Sequence, residues 1–272
     1  MQPILFSIAG IPVFSLGFFL VVAWLVFSFI FWKLLYRVGV EEKRIFDLTF
    51  YATLAALIVS RVTFVFVHPS LFSGSWLKVA AIWVQPGFSL YGGLVGGIAT
   101  VVYLSRKYKV RLAFVLDAWA LAFPVALMFG KIGSLLDATE VGREVQVPWA
   151  ISYGGHVGTR HPVQFYEIGV LLFLLIISII LGRRAVREKW PYGLVGVWFF
   201  LLFSIFMFII EFMKESVVYA MRLNLNQWIL VAMFAESIGA FYVRGGGRET
   251  LRPTLRRLGG ALYAKIKRTH NP

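Results

Sequence analysis

Ionisable side chains are concentrated in one stretch of an otherwise apolar chain, residues 130–167. Lysine and arginine in this stretch suit a phosphate group, which arginine can bind through two parallel hydrogen bonds. His161 can carry a proton near neutral pH. It also fits a hydrogen-bonded residue at the entry of a helix, because Pro162 follows it. Charges near a bilayer are costly unless they pair or line a wet cavity, so this stretch is the candidate functional region.

The composition indicates that this stretch sits in a membrane protein. The 272 residues are 59% hydrophobic and 15% charged, with a mean hydropathy of +0.78, which is typical of an integral membrane protein. The net charge of +14 does not indicate a nucleic-acid partner, because the basic residues lie in short clusters between apolar runs, where membrane topology sets them. The chain has no cysteine, which excludes disulfides, thiolate metal sites and a cysteine nucleophile of its own. We expect no cofactor and no metal.

Seven apolar runs predict an all-α integral membrane protein with about seven transmembrane helices. The runs cover residues 13–35, 46–67, 88–105, 112–130, 165–182, 192–212 and 226–243. Most of the 27 lysines and arginines follow the first, third and fifth runs or lie in the C-terminal tail. The positive-inside rule then places the N-terminus outside and the C-terminus in the cytoplasm.

We therefore expect a single polytopic membrane domain over residues 1–244, with an outward-facing polar loop at 130–164. Residues 245–272 are expected to form a basic cytoplasmic tail. This tail fits either electrostatic contact with anionic lipid headgroups or a disordered, solvated segment.

Small residues share one face of the third run, and charges lie inside or at the ends of other runs. The small residues are Gly92, Gly93, Gly96 and Gly97. They predict the close approach of either a second helix or a ligand. Arg61, Glu167 and Glu211 are charges that we expect to face the bundle or a cavity. Taken singly, each is equally compatible with an ion pair that serves packing alone.

Several motifs, in order along the chain, resemble the prolipoprotein diacylglyceryl transferase family. Residues 160–167, Arg-His-Pro-Val-Gln-Phe-Tyr-Glu, are close to the family's Arg-His-Pro-Ser-Gln-Leu-Tyr-Glu. Residues 130–143 fall without a gap on its signature Gly-Arg-Ile-Gly-Asn-Phe-Ile-Asn-Gly-Glu-Leu-Trp-Gly-Arg. Weaker similarities lie at residues 3–8, 16–17, 60–61, 87–96, 209–212 and 226–227. Together these blocks extend over all seven runs.

The resemblance implies a multi-pass enzyme of the bacterial cytoplasmic (inner) membrane that acts in lipoprotein biosynthesis. Such an enzyme moves the diacylglyceryl group of phosphatidylglycerol onto the lipobox cysteine thiol in the signal peptide of a prolipoprotein. The implied partners are therefore phosphatidylglycerol, that signal peptide and membrane lipids. The site needs cations on the phosphate and a group that helps the thiol to ionise.

The resemblance assigns candidate residues to both tasks. The catalytic candidates are His161, Tyr91, Asp137 and Glu167. The candidates for phosphatidylglycerol binding are Lys131, Arg143, Arg61, Ser134, Gln164 and Glu211. Lys131 and Arg143 are twelve residues apart, so they meet on one phosphate only if residues 132–142 fold back as a loop or a short helix. Gly133 and Gly142 permit such a reversal.

The chain departs from the family pattern at several of these positions. The residues that differ are Tyr91 in place of a histidine, Lys131 and Met207 in place of arginines, Ser134 and Asp137 in place of asparagines, and Thr139 in place of a glutamate. Two alternatives stay open. Either substitutes such as His161, Asp137 or Lys214 carry the chemistry, or the chain is a catalytically inactive homologue that binds lipid or lipoprotein precursor. A transporter or channel is a third class, but the chain shows no internal repeat and no matched pair of broken spans.

Overall fold

The computed structural model describes residues 2–8, 10–72, 77–82, 84–85 and 87–245, with only the backbone at Ala220. The chain is predominantly helical. Its long helices, labelled in chain order, are α1 (Ser15–Arg37), α2 (Glu42–Val67), α3 (Leu90–Lys107), α4 (Leu112–Asp137), α5 (Val163–Arg187), α6 (Leu194–Glu211) and α7 (Leu225–Arg244). A single helical turn at Leu77–Ala80 and 3₁₀ turns at Pro69–Phe72 and Ala220–Arg222 complete the helical elements.

Five of these helices are long and apolar enough to cross a membrane. They are α1, α2, α4, α5 and α6, with hydropathies from 1.9 to 2.5 over their most apolar windows. A helix suits this setting because all its backbone hydrogen bonds close within the segment, where lipid offers none. The chain is therefore a multi-pass helical membrane protein. Helices α3 and α7 lie at the other two predicted positions, and the total of seven spans stays a prediction.

A short β-hairpin precedes the helices, so the expectation of an all-α chain is wrong for this segment. Strand β1 (Ile4–Ile8) pairs antiparallel with β2 (Ile11–Phe14). Gly10 in the turn has φ +83°, a conformation that glycine adopts without strain. The backbone N–H of Gln2 donates to the carbonyl of Leu136 at 3.1 Å, which ties the hairpin to the end of α4. Strands of four and five residues are too short to stand out from the apolar run that follows them.

The irregular segment is shorter than the polar loop predicted at 130–164. Helix α4 ends at Asp137, and the next residue, Ala138, has a φ of 52°, in the left-handed region. Helix α5 begins at Val163, so the connection covers residues 138–162. The apolar run ends at the charge of Lys131, but the helix does not, because that charge has carboxylate partners described below.

The described residues form two compact units. One contains the residues up to Phe27 and those from Leu116 onward, and the other is Ser28–Val115. The single membrane domain expected over residues 1–244 stays a prediction. The basic tail predicted at 245–272 lies outside the described residues, apart from Gly245.

In the Ser28–Val115 unit, α2 and α3 pack with their backbones close together. A Cβ added at Gly96 would lie 2.7 Å from Cβ of Val59, and one added at Gly92 would overlap the side chain of Thr63. The glycine face therefore serves helix packing, one of the two alternatives left open by the sequence.

In the other unit, α4 to α7 pack around two apolar clusters. The first contains Ala120, Leu174, Val195 and Phe199, and the second contains Leu171, Met207, Ile210 and Leu230. Asp117 of α4 fixes the start of α6 by accepting hydrogen bonds from the backbone N–H groups of Gly193 at 2.6 Å and Gly196 at 2.9 Å. A carboxylate there satisfies donors that the first helical turn leaves unpaired. At the other end of α6, Met207 and Ile210 of the second cluster lie beside Glu211, a member of the candidate site.

Candidate functional site

Five ionic side chains from four separate parts of the chain form one lysine–glutamate network. Its members are Lys131 near the end of α4, Glu140 in the irregular segment, Glu167 in α5, Glu211 at the end of α6, and Lys214 three residues later. Nζ of Lys131 lies 2.9 and 2.7 Å from the two carboxylate oxygens of Glu140. It also lies 2.8 Å from Oε2 of Glu167.

Lys214 contacts both carboxylates that Lys131 contacts, and it also contacts Glu211. Its Nζ lies 2.8 Å from Oε1 of Glu167, 3.2 Å from Oε2 of Glu211 and 3.3 Å from Oε2 of Glu140. Glu167 and Glu211 are buried. A buried carboxylate is costly unless it is paired and hydrogen-bonded, and the two ammonium groups supply that pairing.

The network continues into the start of α7. Oε1 of Glu211 accepts hydrogen bonds from Nδ2 of Asn226 at 2.7 Å and from Nδ2 of Asn224 at 3.2 Å. Asn224 and Gln227 form a reciprocal capping box at that helix end. Glu211, a predicted lipid-binding residue, is thus fixed by groups from two directions.

Glu140 is positioned through its backbone by buried polar groups of α5 and the irregular segment. Nε2 of Gln164 donates to the carbonyl oxygen of Glu140 at 2.6 Å, and the hydroxyl of Tyr153 donates to Oε1 of Gln164 at 2.6 Å. Gln164 and Tyr153 are both fully enclosed. Burial raises the pKa of Tyr153 to about 12, so its hydroxyl keeps the proton that it donates. Gln164 therefore positions the irregular segment.

The network also sets the charge states of its members outside the helices. Burial alone would raise the pKa of Glu140, but the ammonium groups of Lys131 and Lys214 outweigh it and the pKa is lowered. Burial alone would lower the pKa of Lys214, but Glu167, Glu140 and Glu211 outweigh it and the pKa is raised. Glu140 is therefore ionised and Lys214 protonated near neutral pH.

The chain does fold back after α4, as the Lys131–Arg143 hypothesis requires. The reversal brings Glu140, nine residues after Lys131, onto the lysine. Arg143 lies next to Lys214, since its Nε donates to the carbonyl of Lys214 at 3.1 Å and its N–H donates to the carbonyl of Met213 at 2.8 Å. The Arg143 side chain is exposed. Joint contact of Lys131 and Arg143 with one phosphate stays a prediction.

His161 lies at the end of the irregular segment beside two aromatic side chains. Its Nδ1 is 3.2 Å from the hydroxyl of Tyr166, and that hydroxyl accepts a hydrogen bond from Nε1 of Trp149 at 2.7 Å. The Tyr166 hydroxyl therefore bridges the side chains of Trp149 and His161.

Ser134 and Asp137 lie on the last turns of α4. Ser134 is buried, and its Oγ accepts from Oγ1 of Thr139 at 3.0 Å while its carbonyl accepts from the Thr139 N–H at 3.2 Å. Ser134 thus closes the reversal after the helix. Asp137 is half-buried and forms no ion pair with the described side chains. The lipid and catalytic roles expected for them stay predictions.

Two of the predicted site residues, Arg61 and Tyr91, belong to the Ser28–Val115 unit. The buried guanidinium of Arg61 donates to the carbonyls of Val79 at 2.8 Å, Gly87 at 2.8 Å and Lys78 at 2.9 Å. Three of its five donors therefore hold the connection between α2 and α3. Tyr91 lies in the first turn of α3.

Similarity to known proteins shows the family to which the chain belongs. The family model of prolipoprotein diacylglyceryl transferase matches residues 3–243. The chain belongs to the prolipoprotein diacylglyceryl transferase family. The resemblance of the motifs is thereby confirmed over nearly the whole chain.

Individual relatives agree with this family. A phosphatidylglycerol–prolipoprotein diacylglyceryl transferase of Geobacter sulfurreducens is 32% identical over 182 residues, which cover 65% of this chain and 67% of the relative. The transferase of the same name from Bordetella avium is 28% identical over 230 residues, covering 80% and 86%. That from Pseudoalteromonas atlantica is 32% identical over 222 residues, covering 79% and 76%.

Sequence reasoning assigned no site role to Glu140 and Tyr153, and it named Lys214 only as a possible substitute. A signal existed for two of them. Glu140 lies one residue after the position of the family glutamate, and Lys214 lies three residues after Glu211, a spacing that brings side chains together. Tyr153 gave no signal, because its partner Gln164 is fixed only by the folded path of the irregular segment.

Proposed function

We propose that this chain transfers the diacylglyceryl group of phosphatidylglycerol to the lipobox cysteine thiol of prolipoproteins. Its membership of the family supports the reaction. The observation that carries the proposal is the lysine–glutamate network, which joins Lys131 and Glu167 from two motifs with Glu211 from a third. These residues meet although they lie far apart along the chain.

The proposed reaction is a displacement at a glyceryl carbon. The thiol sulfur attacks the carbon that carries the phosphate ester, a C–S bond forms, and the C–O bond breaks. Its electron pair stays on the leaving glycerol phosphate, and the thiol proton passes to a base. Charge grows on the phosphate oxygens, so ammonium and guanidinium groups placed there lower the barrier. Lys131, Lys214 and Arg143 are the proposed cations.

The remaining predicted residues receive positioning or proton-transfer roles in this proposal. Gln164 and Ser134 hold the reversal that carries Glu140 and Arg143. Glu167 and Glu211 hold the two lysines. The candidates for the base are His161, Asp137 and Tyr91. A phenol has a reference pKa of about 10, which disfavours Tyr91 as a base near neutral pH. Arg61 is proposed to bind lipid with its remaining donors.

The proposal includes a topology and a location. We propose seven spans in a single membrane domain over residues 1–244, with the N-terminus outside and the tail at 245–272 in the cytoplasm. The distribution of lysine and arginine supports this orientation. The segment at 138–162 then faces outward from the bacterial inner membrane, the side on which a prolipoprotein signal peptide would present its cysteine.

A second candidate function is lipid or lipoprotein-precursor binding without transfer. Met207, at the position of a family arginine, is buried among Leu171, Ile210 and Leu230 rather than placed at a polar site. Tyr91 also replaces a family histidine. These substitutions favour a protein that retains the family fold but lacks some of the family's catalytic residues.

Complementation of a bacterial strain depleted of its own transferase separates the two candidates. We expect rescue by this chain and by the control Lys43→Gln, which removes an exposed lysine. We expect no rescue by Lys131→Gln at equal membrane abundance. Rescue by Tyr91→His but not by the unaltered chain would contradict the transferase proposal and support binding alone.

A further inference from the structure

The lysine–glutamate network has one more carboxylate than ammonium groups. Lys131 and Lys214 face Glu140, Glu167 and Glu211. Arg143, whose Nε donates to the carbonyl of Lys214, adds a third cation beside the network. The charges then balance, and a lipid phosphate that joined this arrangement would create an excess of one negative charge. Exchange of one carboxylate for the phosphate at the lysines avoids this excess.

Glu140 differs from the other two carboxylates in burial and in support. Its side chain is 38% exposed, against 4% for Glu167 and 5% for Glu211. Glu167 lies within α5, and Glu211 also accepts from two asparagine amides. Among the described residues, the carboxylate of Glu140 contacts only the two lysines.

The backbone of Glu140 is held independently of its carboxylate. Nε2 of Gln164 donates to the Glu140 carbonyl, and this bond does not involve the carboxylate. Rotation about the side-chain bonds is therefore enough to move the carboxylate from the lysines toward solvent. The two lysines therefore form an anion site, which the carboxylate of Glu140 occupies and can vacate.

A phosphodiester is matched to this group in charge. It carries one negative charge and two free oxygens, as a carboxylate does. Exchange of one for the other leaves the net charge of the network unchanged, whereas addition without exchange does not. The arginine expected at Met207 is absent, and Lys214 supplies a second cation beside Glu211 instead.

We propose that Lys131 and Lys214 form a two-ammonium phosphate site whose resident occupant is the carboxylate of Glu140, which the phosphodiester of the lipid displaces. This proposal rests on the proposed function for the identity of the lipid. Glu140 acts as an intramolecular competitor and sets how much lipid is needed to fill the site. An occupant present for about 90% of the time weakens the apparent affinity about tenfold.

The test is calorimetric titration of the full-length chain in maltoside micelles with dioctanoyl phosphatidylglycerol. Glu140→Gln should bind this lipid about tenfold more tightly than the unaltered chain, because the amide carries no charge to hold the lysines. The matched control is Glu144→Gln, an exposed carboxylate of the same segment, which should leave the affinity within about twofold. A Glu140→Gln affinity that is equal or weaker would overturn the proposal.

A second variant covers the case in which Glu140→Gln does not fold. Glu140→Asp keeps the charge but is one methylene shorter, so its contacts with the two lysines should be weaker and the tightening smaller than in Glu140→Gln. No tightening in this variant would likewise overturn the proposal. Titration with glycerophosphoglycerol, the deacylated phosphodiester, separates the sources of the ligand. Tightening toward the lipid alone shows that the acyl part is needed, and tightening toward both shows that the phosphate suffices.

The outcome is separable from that of the proposed function, because binding is measured without peptide. Tighter lipid binding by Glu140→Gln with no transfer by any variant would reject the transferase proposal and keep the displaced carboxylate. Transfer by the unaltered chain, with the lipid affinity and KM unchanged in Glu140→Gln, would keep the transferase and reject Glu140 as the occupant.

Discussion

Replacing Lys214 by methionine tests whether the network holds the helix ends together. Methionine keeps most of the length of the side chain and removes the charge. Nζ of Lys214 contacts Glu167 at 2.8 Å and Glu211 at 3.2 Å, and both carboxylates are buried. The change leaves Glu167 with Lys131 and leaves Glu211 with amide donors alone.

The expected cost follows from that imbalance. Removing one partner of a buried ion pair costs about 3–5 kcal/mol, because it leaves an uncompensated buried charge. The Lys214 side chain is 12% exposed and Glu211 retains two amide donors. We therefore expect a loss of about 3 kcal/mol, near the lower end of that range.

The assay is unfolding of the purified protein in mixed micelles with a rising fraction of sodium dodecyl sulfate, followed by tryptophan fluorescence. Lys43→Met is the matched control, since that lysine is exposed, and it should change the free energy of unfolding by less than about 0.5 kcal/mol. Adding Glu211→Gln to Lys214→Met should recover about 1–3 kcal/mol, because it removes the uncompensated charge. A Lys214→Met protein as stable as the unaltered chain, or no recovery in the double variant, would refute this reasoning.

Three further predictions concern packing, capping and pH. Gly96→Ala should lower the free energy of unfolding by about 1–3 kcal/mol, because its Cβ would lie 2.7 Å from Cβ of Val59. Gly97→Ala, with 3.5 Å to its nearest neighbour, is the control in the same micelle titration and should be close to neutral. Asp117→Ala should lower the free energy of unfolding by about 1–2 kcal/mol, because the start of α6 loses its cap. It should also speed hydrogen exchange in the first turn of α6. Unchanged exchange there would contradict the role of Asp117 as a cap. The pKa of Glu140 is lowered from 4.5, so the stability from its ionised form is present above pH 4.5 and is lost as the pH falls through the lowered value. The difference in melting temperature between Glu140→Gln and the unaltered chain should therefore vanish in acid, and a difference that grows there would refute the pairing.

The helices were predictable because long apolar runs have few other solutions in a bilayer. Each predicted run overlaps a helix, and each helix starts within a few residues of the expected start. The largest error at a C-terminus is in α4, which was expected to end at Gly130 and ends at Asp137. Hydrophobicity marks where apolar surface stops, but ion pairs at Lys131 allow the helix to continue past that point.

The pairing within the site was less predictable. The family motifs identified Lys131, Glu167 and Glu211 as site residues, and the structure brings them together. The pairing of Glu140 with Lys131 was not predicted, because it depends on the turn at Ala138 and on the hydrogen bond from Gln164 to the Glu140 carbonyl. Contacts of this kind depend on long-range folding rather than on local spacing.

The central claim is that the chain catalyses diacylglyceryl transfer, and mass spectrometry of the peptide product tests it most directly. Purified protein is incubated with phosphatidylglycerol vesicles and a lipobox peptide that carries one cysteine. We predict a thioether product heavier by one diacylglyceryl group, formed by the unaltered chain and Lys43→Gln and not by Lys131→Gln. A peptide of unchanged mass after prolonged incubation with folded protein at high concentration would contradict the claim.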